Sequence, residues 1–170
     1  PRCLAAYPGT PAGGAGAGAA VSRWAPRATV ATVVFDGSRY LLVEERDKAS
    51  GARVFNQPAG HLERGEGLAE AALREVREET AWQVELTGII GVSLYTPPAG
   101  SPDFLRTTFL ARPLSRLSGS AIDDDINAVH WLRYEEILAR SARMRSPLVL
   151  AAIERHRAGA IHSLELLFDP

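Results

Sequence analysis

A helical segment inserted between strand-like segments constrains this chain more than any other feature of its sequence. From residue 68, small and apolar residues recur every three or four positions, at Leu68, Ala69, Ala72, Leu73, Val76 and Thr80. On both sides of this segment the chain carries β-branched or alternating runs, as strands do. Since the apolar stripe of a helix must be buried against another layer, we expect a layered α/β or α+β domain.

The strand-like segments lie before and after this helix. Asp36-Gly37 is a strong hairpin signal between "RATVATVVF" and a strand at 40–44. A short strand near Val54–Phe55 is expected to end at Pro58, and the glycine-rich stretch 60–67 is predicted as a loop. Further strands are predicted at 83–96, 103–112 and 127–132, and helices at 134–140 and 146–157, the last with Ser146 as its cap and Pro147 as its first residue.

Composition and length favour a single domain. The chain has 170 residues, of which 46% are hydrophobic and 23% charged, as in ordinary globular proteins. Residues 1–25 are rich in Gly, Ala and Pro and are expected to form a disordered leader, which leaves 26–170 as the domain. The net charge of −1 gives no reason to expect a nucleic-acid or membrane partner. Cys3 is the single cysteine, so no internal disulfide is expected, and we expect a cytoplasmic protein.

Three carboxylates fall on one face of the predicted helix. Glu78 and Glu79 lie three and four positions after Glu75, a spacing at which like charges repel. The cluster could be a solvated face neutralised by Arg74 and Arg77, with Arg74 also paired to Glu70. It could equally be a site for a hard divalent cation, which prefers several oxygen ligands. The glycines ahead of the helix, at 60, 65 and 67, favour the cation site, because they let backbone carbonyls approach an ion.

The segment from Gly60 to Trp82 resembles the Nudix box. That pattern is Gly, five residues, Glu, seven residues, then Arg-Glu-apolar-x-Glu-Glu-x-Gly-apolar. The chain supplies the matching residues Gly60, Glu66, Arg74, Glu75, Val76, Glu78, Glu79 and Trp82. Ala81 stands where the pattern has glycine, and a left-handed turn at an alanine would cost about 1 kcal/mol.

The resemblance extends over roughly residues 27–168 and is strongest to the NudJ-type phosphatase branch. It is carried by "FNQPAGHLE", "VEE", the "FLR" at 104–106, "EEIL" and "RSPLV" in addition to the box. It implies an α/β/α sandwich with a central mixed sheet and a loop-helix-loop catalytic segment. It also implies a small-molecule substrate, and leaves monomer or homodimer open.

The resemblance also assigns roles to residues of the box. The glutamates Glu75, Glu78 and Glu79 would bind metal, together with the backbone carbonyl of Ala59. The expected cofactor is Mg²⁺, for which Mn²⁺ could substitute. Arg74 would orient Glu75 with help from Glu66, and the base that accepts the water proton would be Glu75 or, as second choice, Glu78.

Residues outside the carboxylate cluster are candidates for substrate contacts. Gly60, His61, Gln57 and Arg106 are the candidates for substrate binding, although strand alternation would turn only one of Asn56 and Gln57 inward. Asp125, in an acidic turn that also contains Asp123 and Asp124, is a candidate auxiliary acid; the alternative is a solvated turn.

The expected activity is hydrolysis of phosphate anhydride bonds by attack of activated water on phosphorus. The substrates implied by the NudJ-type branch are nucleoside tri- and diphosphates or the pyrophosphates of thiamine precursors. An ADP-ribose-type pyrophosphatase is an alternative within the class, since Pro97 and Pro98 follow the box at a distance typical of such enzymes. A non-catalytic nucleotide-sensing module is an alternative from another class.

Overall fold

The computed structural model describes residues 23–48, 50–98 and 101–168. These contain seven strands, three α-helices and two short 3₁₀ helices, Ser141–Arg143 and Leu164–Leu166. The strands are β1 (Arg27–Phe35), β2 (Tyr40–Arg46), β3 (Arg53–Asn56), β4 (Ala59–His61), β5 (Trp82–Tyr95), β6 (Phe104–Arg116) and β7 (Ile126–Leu132). The helices are α1 (Leu68–Thr80), α2 (Tyr134–Leu138) and α3 (Pro147–Arg157). The predicted strands and helices are therefore confirmed, with boundaries that shift by a few residues.

The predicted loop at 60–67 is wrong at its start. Ala59–His61 form β4, which pairs antiparallel with β1 and places His61 opposite Thr29. Three residues that include a glycine carry no periodic signal, so only the partner strand reveals this element. The pairing holds the backbone ahead of α1 against the sheet.

The sheet is mixed and divides into two branches. β1 pairs parallel with β6, and its other pairings are antiparallel. One edge of β1 is shared, because β4 pairs with its first half while β2 meets it only at Val34 and Phe35. One branch therefore contains β4, β1, β6 and β5, and the other contains β3, β2 and β7. The interval between the two branches is where a cleft can form.

Helices cover both faces of the sheet. Ala72 of α1 packs against Val30, Ile89 and Phe109, while α3 packs against a cluster that includes Ile90. Ile89 and Ile90 enter opposite clusters because successive strand residues point to opposite faces. Each fully buried side chain of this size contributes about 1.5–3 kcal/mol. The expected α/β/α sandwich with a central mixed sheet is confirmed.

The buried face of α1 differs from the predicted stripe. Leu73 was expected on that face, but it is 40% exposed. Ala71 and Glu75 take the place next to Ala72 and Val76, and all four are buried. The helix is thus rotated so that one carboxylate of the acidic cluster faces the interior.

The predicted leader lies mostly outside the described residues. At its end, Trp24 donates a hydrogen bond from Nε1 to the Asp103 carboxylate, so this residue contacts the domain. Over the described parts of the chain, no helix is both long and apolar enough to cross a membrane.

Candidate active site

The first turn of helix α1 is stabilised by a hydrogen bond between its N-cap residue and one of its own glutamates. Gly67 is the N-cap residue, and its N–H donates to Glu70 Oε2 at 2.9 Å. Glu70 therefore stabilises the start of the helix. The expected Glu70–Arg74 ion pair is wrong, because Arg74 turns toward other carboxylates.

Arg74 joins three carboxylates and one backbone carbonyl. Its Nε and Nη2 donate to the two oxygens of Glu66 at 2.9 and 2.8 Å, a bidentate pair. Its Nη1 donates to Glu75 Oε1 at 2.8 Å and to Glu78 Oε2 at 3.2 Å, and Nη2 also reaches the His61 carbonyl at 3.1 Å. Hydrogen bonds from Arg74 lower the pKa of Glu66 to about 2. The guanidinium ties the loop, β4 and the helix together.

Glu75 lies between Arg74 and the backbone of β4. Glu75 is only 8% exposed, and this burial raises the pKa of its carboxyl. Arg74 opposes the rise, whereas the negative charges of Glu78 and Asp123 add to it. A Cβ atom at Gly60 would stand 2.0 Å from Glu75 Oε1. Only glycine at position 60 therefore leaves room for this carboxylate.

Glu79 lies against the strand that precedes Gly60. Its Oε2 accepts a hydrogen bond from the Ala59 N–H at 3.0 Å. Burial raises the pKa of its carboxyl to about 9, and the charges of Glu75, Glu45 and Asp123 add to that rise, although the Ala59 hydrogen bond opposes it. Unlike Glu75, it has no arginine hydrogen bond among the described residues to offset its burial.

The carboxylates fit a hard divalent cation by their chemistry. Glu75 and Glu79 line a common cleft, and burial and mutual repulsion disfavour their charged forms, a cost that a cation would offset. Within the described residues no three potential ligands already converge on one ion position. Arg74 holds Glu75 and Glu78, and Ala59 holds Glu79. Binding would therefore require some of these side chains to turn.

A cleft of about 1030 Å³ opens between the two branches of the sheet. We call it the central cleft. Glutamates of α1 line one end, residues of the β4–β1–β6–β5 branch line one wall, and Glu45, Asn56 and Arg145 line the opposite wall. The lining includes Thr29, Glu45, Asn56, Ala59, Gly60, His61, Glu75, Glu79, Tyr95, Phe104, Arg106, Asp123, Asp125 and Arg145. The predicted site residues Ala59, Gly60, His61, Glu75, Glu79, Arg106 and Asp125 thus share one cavity.

Gln57 is the predicted substrate contact that the structure places elsewhere. It is 1% exposed, and its Nε2 donates to the Val149 carbonyl in α3 at 2.7 Å. Asn56 faces the central cleft instead and donates from Nδ2 to Glu45 Oε1 at 3.0 Å. Alternation along the chain turns one of the two inward, and the choice of Gln57 is wrong because this side chain anchors α3.

The acidic turn before β7 approaches the carboxylates through a different residue from the predicted one. Asp125 lines the central cleft but is paired with Lys48 at 2.7 Å, with both side chains largely exposed. The Asp123 N–H donates to the Glu78 carbonyl at 3.0 Å, and its charge raises the pKa of Glu75 and Glu79. Asp123 is therefore tied directly to α1.

His61 and two aromatic residues line the cleft beside the carboxylates. His61 is exposed, with its ring 6.2 Å from that of Phe104. Phe104 pairs with Tyr95 across β5 and β6, so an aromatic pair lines this part of the cleft. Sequence reasoning missed it, because the partner of each residue depends on strand register.

Comparison with known proteins supplies the family context. The family model for the NUDIX domain matches residues 25–152. Phosphatase NudJ of Shigella boydii serotype 4 and that of Escherichia coli K12 are each 38% identical over 144 residues, which is 85% of this chain and 92% of theirs. The solved structure of a NUDIX hydrolase from Nitrosomonas europaea superimposes with a TM-score of 0.82 at 36% identity, covering 86% of this chain and 98% of that one.

Proposed function

The chain belongs to the Nudix hydrolase family, as a pyrophosphohydrolase or phosphatase similar to NudJ, and on this premise we propose that it hydrolyses small phosphate anhydrides with Mg²⁺ as its cofactor. The proposed substrates are nucleoside tri- and diphosphates or the pyrophosphates of thiamine precursors. Enzymes of this family are typically dependent on a divalent metal, and Mn²⁺ is expected to substitute for Mg²⁺.

The observation that carries this proposal is the carboxylate cluster at one end of the central cleft. Glu75 and Glu79 line the cleft, and Glu78 is held beside Glu75 by their common partner Arg74. Together with the Ala59 carbonyl, these three glutamates are the groups that would hold the metal. A bound divalent cation supplies charge neutralisation for the phosphates and lowers the pKa of water.

The protein's own residues orient the reaction. Arg74 fixes Glu75 through the 2.8 Å hydrogen bond, and its bidentate pair with Glu66 keeps the guanidinium from swinging away. We assign Glu75 as the group that accepts the proton of the attacking water, with Glu78 as the second candidate. The oxygen of that water bonds to phosphorus as the anhydride oxygen leaves with its electron pair. Misplacement of such a group by about 1 Å costs on the order of 10²-fold in rate.

The dimensions of the central cleft support a small substrate. Its volume of about 1030 Å³ is just above the range of roughly 300–1,000 Å³ found for small-molecule sites. Gly60 and His61 lie beside the carboxylates, where we propose that they contact the phosphates. The aromatic pair Tyr95 and Phe104 offers a surface against which a base could stack.

The experiment that tests this proposal is a substrate panel with product analysis. Nucleoside triphosphates, nucleoside diphosphates, thiamine-precursor pyrophosphates and ADP-ribose are incubated with Mg²⁺, and orthophosphate and pyrophosphate release are measured separately. The proposal predicts turnover of a member of the first three classes that EDTA abolishes. Preferred turnover of ADP-ribose would favour the second candidate, for which Pro97 and Pro98 at the cleft are the supporting observation. No metal-dependent turnover of any member would contradict both.

A further inference from the structure

Arginine 106 carries buried donors that no described residue satisfies. Its Nε and Nη1 are buried and have no hydrogen-bond acceptor among the described residues. The hydroxyl of Thr29 is also buried and has no hydrogen-bond partner among them. Both residues line the central cleft. Buried polar groups in proteins are almost always hydrogen-bonded, and an unpaired one attached to a charge is especially costly. Such a cost at a cleft wall points to a ligand that completes the bonds.

Strand register places these donors together on the floor of the cleft. Thr29 of β1 is the register partner of Arg106 in β6 and, on its other side, of His61 in β4. Residues paired across a ladder point to the same face, and neighbouring strands lie about 4.8 Å apart. Thr29 and Arg106 are thus side by side, and the row continues through His61 toward the carboxylate end.

The nearby carboxylates are already engaged. Glu45 lies on the opposite wall, where its Oε2 is paired with Arg145 Nη1 at 3.2 Å and its Oε1 accepts from Asn56. Glu79 Oε2 accepts from the Ala59 N–H. Burial lowers the pKa of Arg106, and the positive charge of Arg145 lowers it further. The charges of Glu45 and Glu79 oppose this fall, but neither carboxylate hydrogen-bonds to Arg106 among the described residues. Two guanidinium groups therefore face one cleft.

We propose that Arg106 and Thr29 form an anion subsite that binds a phosphoryl group of the substrate other than the one attacked, with Arg145 adding positive charge from the opposite wall. This inference rests on the proposed function and deepens it. The guanidinium, which matches phosphate oxygens in shape and charge, turns toward the cleft to make these bonds. A nucleoside triphosphate has two phosphoryl groups besides the one attacked, whereas the diphosphate has one. The triphosphate therefore has one more group that can reach the subsite, and it is preferred to the diphosphate of the same nucleoside.

Binding without catalysis tests the subsite directly. The full chain in EDTA is titrated with inorganic pyrophosphate, and its thermal unfolding midpoint is followed. We expect pyrophosphate to raise the midpoint of the wild-type protein and of the control Arg112→Met, and to have no effect on Arg106→Met. Arg112 is a matched control because it lies on the same strand but is exposed and paired with Glu85. An equal shift in Arg106→Met and wild type would overturn the proposal.

The ligand-free midpoint separates a binding role from a structural one. Removing a buried guanidinium that lacks partners should relieve its cost, so Arg106→Met should unfold about 2–4 °C higher than wild type. A lower midpoint would mean that Arg106 holds the fold together, and would overturn the proposal. Arg106→Lys keeps the charge and is expected to retain part of the pyrophosphate shift.

Comparing the triphosphate and the diphosphate of one nucleoside tests whether Arg106 selects for the number of phosphates. For the nucleoside triphosphate, Arg106→Met should lower kcat/KM about 10- to 100-fold, mostly through KM, and the loss for the diphosphate should be smaller. If the loss in kcat/KM instead differed between nucleotides that have the same number of phosphates but different bases, Arg106 would contact the base. That result would overturn the proposal. If wild type and Arg112→Met hydrolyse none of the panel, the proposed function fails, while the pyrophosphate shift still decides the subsite.

Discussion

The Glu75 carboxylate lies so close to Gly60 that any side chain at position 60 would collide with it. The Cβ atom of an alanine there would lie 2.0 Å from Glu75 Oε1 and 2.2 Å from its carboxyl carbon. Glu75 cannot simply move aside, because Arg74 holds the same oxygen at 2.8 Å. The glycine that begins the family motif is therefore required by the position of its second glutamate.

Gly60→Ala is expected to lower activity far more than stability. The methyl group forces Glu75 away from Arg74, and displacement of a reacting group costs on the order of 10²-fold in rate. The measurement is kcat/KM with Mg²⁺ beside the thermal midpoint of the variant. Wild-type turnover by a folded Gly60→Ala protein would contradict the assigned position of Glu75 in the reaction.

Glu75→Gln and, separately, Glu79→Gln are expected to abolish metal-dependent phosphate release while the protein stays folded. Both side chains are placed among the metal ligands, and glutamine keeps their size but loses the charge. Mn²⁺ binding, followed by electron paramagnetic resonance, should weaken in both. Glu70→Gln is the matched control on the same helix, since glutamine also serves in a capping box. Either variant retaining normal turnover would remove the metal-site assignment.

Ala81→Gly is expected to stabilise the protein slightly. Ala81 ends α1 with φ of 56° and ψ of 27°, in the left-handed region, which costs a non-glycine residue about 1–2 kcal/mol. Loss of its buried methyl group lowers the free energy of unfolding by about 0.8 kcal/mol. The net gain in the free energy of unfolding is therefore up to about 1 kcal/mol. Chemical denaturation measures it. Ala69→Gly, in the first turn of the helix, should act in the opposite direction by up to about 1 kcal/mol. A destabilised Ala81→Gly would contradict the assigned strain at position 81.

The turn between β1 and β2 should make stability depend on pH through Asp36. Burial raises the pKa of Asp36, but hydrogen bonds from the Ser38 and Arg39 N–H groups at 2.8 and 2.7 Å, and from their side chains, lower it by more. Because the folded pKa lies below the unfolded one, this stabilisation is fully present above the unfolded pKa of about 3.9. It is lost as the pH falls through the folded pKa. The wild type should therefore exceed Asp36→Asn in thermal midpoint at pH 7, and the gap should close below pH 4. A gap independent of pH would contradict this account.

Local patterns predicted most of the fold. Helical spacing located α1 from Leu68 to Thr80, and the Asp36-Gly37 signal located the β1–β2 hairpin. These elements could be predicted because their signals lie within a few residues of one another. β4 could not, since three residues around Gly60 become a strand only when β1 supplies the hydrogen bonds.

The candidate site divides in the same way. The positions of Arg74, Glu75, Glu78 and Glu79 on one helix follow from their spacing. The structure adds that Glu75 and Glu78 bond to the Arg74 guanidinium, whereas Glu79 accepts from the Ala59 N–H. Leu73 was predicted to be buried and Glu75 was not, because the contact of α1 with the sheet sets which face turns inward. Alternation cannot tell which of Asn56 and Gln57 faces the cleft. Only the packing of α3 shows that Gln57 bonds to the Val149 carbonyl, which leaves Asn56 to line the cleft.

Spacing along the chain was sufficient to predict α1, most of the strands and the family of this protein, because the spacing within one helix or strand already sets which side chains share a face. Three relationships appear only in the folded chain: Gly60 lies against the Glu75 carboxylate, the Asp123 N–H donates to the Glu78 carbonyl of α1, and Thr29 is beside Arg106. Those relationships join residues far apart in the chain, and they exist only once strand pairing and helix packing have set the distances between them.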